Sequence, residues 1–221
     1  MERSLALIVS GMDEELRAEL LRRVEPDQAA RKALDIDAIL AVDAENLPWL
    51  KGVVAAHGWP GKSLVGDNGA HAAWLLAQHA DADPAFQRQC LDLLAAAVEA
   101  GEATVIELAY LTDRVLLHEG QPQVYGTQMT RDASGRMVPC ELRDPDGLDE
   151  RRAAVGLEPF AEYARHFNEP RESQAGPGGV HARLRCPDCD AWVPFDDPGA
   201  GQPVAVTCPE CGREMTIRVQ R

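Results

Sequence analysis

Between residues 83 and 101 apolar positions recur with the period of an α-helix: Phe86, Cys90, Leu93, Leu94 and Ala97 form one stripe, and Arg88, Asp92 and Glu99 face the other way. Asp83 before Pro84 supplies an N-cap and a first-turn proline, and Gly101 supplies a stop. Residues 68–80 are apolar nearly all round, because Leu75 and Leu76 lie across from Ala73, Trp74 and Ala77; this predicts a buried central helix. Shorter amphipathic helices are expected at 13–24 and 46–56, and a longer one at 103–118. Residues 149–155 and 158–167 again read as helix, broken by Gly156 and Pro159. Residues 123–130 and 136–142 flank an Asp-Ala-Ser-Gly turn, which predicts a β-hairpin. The expected class is a mainly α-helical domain with a small β-hairpin.

The pattern stops at residues 169–179, EPRESQAGPGG, which hold three Gly, two Pro and almost nothing apolar. Such a composition cannot pack and suits a flexible linker. It separates a helical domain at 1–168 from a segment at 180–221 that carries Cys186-Pro-Asp-Cys189 and Cys208-Pro-Glu-Cys211. Two CxxC pairs at this spacing are what two thiolate knuckles need to close on one tetrahedral metal, so the segment is expected to be a separate β zinc ribbon. Cys186, Cys189, Cys208 and Cys211 complete the coordination of a structural zinc and leave no position for a water nucleophile. So small a segment would draw its folding free energy largely from that metal.

Charge narrows the partners. The segment from Val180 onward has five Arg against six acids, a net of −1 before the thiolates are counted, and therefore lacks the basic face that nucleic-acid binding requires. Over all 221 residues the formal charge is −14, which disfavours polyanions and anionic membranes. No run of about eighteen apolar residues is present, so no membrane span is expected. MERSLALIVSGMDEE lacks the basic region and cleavage site of a signal peptide, and with thiolate ligands this points to the cytoplasm. Cys90 and Cys140 read as isolated packing positions.

Candidate chemistry lies where the pattern breaks its own rules. His79 falls between Leu75 and Leu76 on the wheel of the central helix. Asp113 falls among Ile106, Ala109 and Leu117, on the apolar face of helix 103–118. A buried carboxylate requires a cation, several donors or a proton; His79, His57 and Arg31 are its candidate partners. His57 stands at a helix C-terminus, where Gly58 reverses the chain and Pro60 blocks further helix. Gln123, Tyr125, Thr127 and Gln128 surround Gly126 on an expected strand that would line a polar pocket or face solvent.

HGWPG at 57–61, QHAD at 78–81, YLTDR at 110–114, QVYGTQ at 123–128 and DERRAAVGLEPFAEY at 149–163 together resemble an uncharacterised bacterial domain family that carries these strings in this order, over residues 25–165. The resemblance implies a shared domain and no particular reaction; His57, His79, Asp113, Arg114, Tyr125 and Gln128 match its polar positions. The sequence leaves open whether the domain catalyses anything. In one reading His57, His79 and Asp113 converge in a cleft for metal-independent acid–base hydrolysis or group transfer, and Arg114, Tyr125 and Gln128 hold the substrate. In the other, the domain is a non-catalytic scaffold whose zinc ribbon docks a protein partner through Trp192 and Phe195. A metal set drawn from His57, His71, His79 and Asp113 has suitable ligand types, but His71 and His79 are eight residues apart and poorly placed to share an ion. An accessible concavity lined by the motif residues favours the enzyme; a sealed His79 and Asp113 favour the scaffold.

Overall fold

The computed structural model describes residues 11–168, 181–185, 192–196, 203–208 and 211–218. The chain divides into two compact units, 1–165 and 166–221. The first is built of α1 (Glu14–Ala33), α2 (Ile36–His57), α3 (Lys62–Gln78), α4 (Pro84–Glu99) and α5 (Val105–His118). After them come the strands β1 (Met129–Arg131) and β2 (Met137–Pro139) and the helices α6 (Leu148–Ala154) and α7 (Phe160–Asn168).

The expected mainly α architecture is present, and α3 is its buried centre. Ala70, Ala72, Ala73, Leu76 and Ala77 of α3 pack with Leu20 of α1, Leu50 and Val54 of α2, Cys90 and Leu94 of α4 and Leu111 of α5. Small residues on α3 bring its neighbours close. At Gly69 a Cβ would lie 2.8 Å from the Val65 side chain and 3.3 Å from that of Arg17 on α1. The starts of α4 and α5 follow the sequence signals: Asp83 accepts from the Phe86 N–H, and Thr104 and Glu107 form a capping box.

Helices α1 and α2 are longer than the pattern predicts, because each continues through a proline, Pro26 and Pro48. Proline removes one helical hydrogen bond and crowds the preceding turn. Packing on both sides offsets this: α1 buries Leu20 before Pro26 and Asp27 and Ala30 after it, and α2 buries Asn46 and Leu50 around Pro48. The connection between these helices turns at Leu34, in the left-handed region at φ 56°.

The hairpin is shorter than expected, with Met129 opposite Pro139, Thr130 opposite Val138 and Arg131 opposite Met137. Residues 123–128 do not form the predicted strand. In the second unit β3 (His181–Arg185) pairs antiparallel with β4 (Trp192–Asp196), and β5 (Pro203–Thr207) with β6 (Glu214–Arg218). The expected linker at 169–179, together with Cys186 and Cys189, lies outside the described residues.

Candidate functional site

Asp113, on α5, is fully buried, as its place on the apolar face requires. Its carboxylate accepts from the N–H groups of Val124 at 2.7 Å, Tyr125 at 3.0 and 3.2 Å and Thr127 at 2.9 Å, and from the Thr127 hydroxyl at 3.0 Å. Donors rather than a cation therefore satisfy it, and none of the expected partners His79, His57 and Arg31 takes part. The donors come from the QVYGTQ segment, which folds as a loop over the carboxylate. Gly126 makes that loop possible, at φ 67° and with its Cα so near the Phe160 ring that a Cβ would stand 3.2 Å away.

The opposite side of the loop meets a buried cation. Arg152 donates from Nη1 to the Tyr125 carbonyl and from Nε to the Glu158 carbonyl, both at 2.7 Å. Its guanidinium lies 4.8 Å from the Tyr163 ring and 5.7 Å from the Phe160 ring. The Tyr163 hydroxyl donates to the Thr127 carbonyl at 2.7 Å, and burial pushes that phenol's pKa up. The peptide units of 123–128 are thus clamped between a carboxylate on their N–H side and a guanidinium on their carbonyl side.

Arg114, next along α5, joins three of the quoted motif segments. It forms a two-bond fork to Asp81 at 2.8 and 2.5 Å and donates to Gln128 Oε1 at 3.2 Å. Gln87 on α4 donates from one amide nitrogen to Asp81 and to the Ala77 and Gln78 carbonyls in the last turn of α3. Its oxygen accepts from His118 Nδ1 at 2.8 Å. Burial would push the Asp81 carboxyl up, but the bonds and charge of Arg114, with Gln87 and His118, hold it below its ordinary value. Tyr125 contributes backbone to this assembly, through its N–H to Asp113 and its carbonyl to Arg152.

His79 caps the C-terminus of α3 and turns toward α1. Its Nδ1 lies 2.9 Å from Oδ1 of Asp27, a fully buried carboxylate that also accepts from Gln28 at 2.7 Å. Arg31, one turn beyond Asp27, bridges Asp27 at 3.0 Å and both Asp43 oxygens at 2.9 Å. Burial opposes the charged form of Asp27; the hydrogen bond and charge of His79, with Gln28 and Arg31, outweigh it and hold the carboxyl below its ordinary value. The crevice walled by Asp27, Asp43, Asn46 and His79 is too narrow for a water molecule.

His57 is elsewhere. It lines an open concavity of about 490 Å³ with Trp59, Leu64, Leu93, Ala97 and Glu102, beside the last turns of α4. QHAD precedes the first turn of that 16-residue helix, a span of about 24 Å. The structure therefore corrects the expected convergence: His57, His79 and Asp113 occupy three separate settings and, among the described residues, share no partner or cavity. Residues 14–172 match a family of unknown function, DUF6624. The chain belongs to that family. Comparison with curated proteins and comparison with solved structures each returned no match.

The DUF6624 match ends before the four cysteines. Of these, Cys208 is buried and Cys211 exposed; the Cys208 N–H donates to the Arg213 carbonyl at 2.8 Å and the Gly212 N–H to the Cys208 carbonyl at 3.0 Å. Gly212 is in the left-handed region, at φ 73°. Within the DUF6624 domain, sequence reasoning missed Asp27, Asp43 and Gln87, did not foresee that Arg152 is buried, and weighed Arg31 only for Asp113. The available signal was Asp27 and Arg31 one helical turn apart, but the reading ended α1 before Pro26. No helix among the described residues is long and apolar enough to cross a membrane.

Proposed function

We propose that the DUF6624 domain is a non-catalytic binding module, with its motif side chains locking helices together and its binding face at the α1–α2 turn. One observation carries this reading: the motif side chains His79, Asp81, Asp113, Arg114 and Gln128 are engaged by one another, by Asp27 and by buried backbone, and among the described residues they line no shared open cavity. Asp113 is sealed and His79 is engaged by Asp27, the outcome that favours a scaffold over a hydrolase or group transferase.

The binding face is supported by three exposed aliphatic side chains within seven residues, Leu34, Ile36 and Leu40, exposed to 77, 64 and 62 %. Leu34 is the only non-glycine with positive φ among the described residues. A leucine there is strained relative to glycine and gains no packing in return, which fits a side chain retained for an external contact. The C-terminal segment, as a zinc ribbon held by Cys186, Cys189, Cys208 and Cys211, would add a second contact for a protein partner. Incubating the full chain and its His79→Gln variant with ester, amide and phosphate-ester panels tests the proposal. No turnover dependent on His79 is expected; a reaction abolished by the substitution would restore the catalytic reading.

A further inference from the structure

The crevice between α1, α2 and the end of α3 has a chemistry that the scaffold role does not use. Asp27, Asp43 and His79 each direct one ligand-type atom into it, and these atoms all lie within 4.8 Å of one another. Metal–ligand bonds of about 2.0–2.2 Å place adjacent ligands roughly 3 Å apart and opposite ones roughly 4.4 Å apart. The 2.9 Å separation of His79 Nδ1 and Asp27 Oδ1 already matches adjacent ligands, and the widest pair must close by only a few tenths of an ångström. A cation taking its ligands directly does not need the water-sized opening that the crevice lacks.

Two further observations point the same way. Asn46, 94 % buried and part of the same wall, has its Nδ2 without a partner, while its Oδ1 accepts from Arg23 at 3.2 Å. A half-turn of that amide presents the oxygen as a fourth ligand, and Arg23 keeps its 2.6 Å bond to Glu19 and its place over the Trp49 ring. Arg31 balances only one of the two carboxylate charges, and its buried Nη1 makes no well-directed hydrogen bond although it stands 3.0 Å from Asp27. The guanidinium is an imperfect counter-ion on a side chain that reaches solvent.

We propose that this crevice binds one divalent first-row cation through Asp27, Asp43 and His79, with the Arg31 guanidinium as the counter-ion that the metal displaces. A set of one imidazole and two carboxylates suits manganese-type ions, whereas the cysteine-rich C-terminal segment suits softer ones. The site goes beyond the scaffold reading, and neither depends on the other.

The test is titration of the full chain with manganous chloride, following loss of the free Mn²⁺ signal by electron paramagnetic resonance and broadening of the His79 ring protons by NMR. One saturable site is expected. Asp43→Asn, at a position that leaves the core untouched, should weaken it at least tenfold, and Arg31→Met, checked for helical circular dichroism, should tighten it severalfold by removing the competing cation. Absence of a saturable site, unchanged affinity in Asp43→Asn, or a folded Arg31→Met that binds no tighter each overturns the proposal. If Arg31→Met does not fold, Asp43→Asn with the His79 signal decides alone.

Discussion

Replacing Asp113 should be among the most damaging single changes in the helical domain, by an amount the geometry sets. Asp113→Ala strands three backbone N–H groups and the Thr127 hydroxyl, all facing a fully buried position. Each donor left unpaired in the interior costs about 1–3 kcal/mol, and removing one member of a buried charge arrangement costs about 3–5 kcal/mol. The loop can shift and admit water, so the expected loss is about 4 kcal/mol rather than the full sum. Asp113→Asn keeps shape and one acceptor but turns an NH₂ toward donors, and should cost about half as much. Urea unfolding followed at 222 nm, with wild type and both variants sharing one m-value, measures the difference. A loss below about 1 kcal/mol for Asp113→Ala, or an Asn variant as damaging as Ala, would refute the clamp formed with Arg152 around residues 123–128.

Other consequences are open to measurement. Asp27, Asp81 and Glu107 have carboxyls held low in the fold, so their stabilisation is present above the ordinary carboxylate range and lost as pH falls below about 4; urea midpoints between pH 7 and 3 should drop accordingly. Leu34→Gly relieves the left-handed residue without removing core contacts and should stabilise the domain by about 0.5–1 kcal/mol, read from the same midpoint. Metal analysis should find one zinc per chain at the four cysteines, and a chelator should expose those thiols while leaving the helical signal intact. Cys90, buried and with its thiol pushed up to about 12, should stay unreactive throughout.

How far the fold could be read from the sequence differs from element to element. The α4 and α5 starts were readable because their caps are local: Asp83 with Pro84, and Thr104 with Glu107, need no tertiary information. α1 and α2 were cut short because a proline ends an isolated helix, and only the packing of Leu20, Ala30 and Leu50 shows why these two continue. That truncation hid Asp27, the partner of His79, and Asp43, which Arg31 joins to it. The buried place of Asp113 followed from helical periodicity, but its donors did not, since backbone N–H groups of a loop carry no sequence signature. His57 was misgrouped for a similar reason: a shared motif family does not say which end of α4 a segment reaches.

The most direct test of whether the motif side chains hold the helices together is the unfolding free energy of His79→Gln and Arg114→Met in the full chain. Each should lower it by about 1 kcal/mol or more, through the lost Asp27 bond in one and the lost Asp81 fork and Gln128 bond in the other. Variants as stable as wild type, or more stable, would contradict it, because that is how a protein responds to losing groups it keeps for chemistry at the expense of its fold.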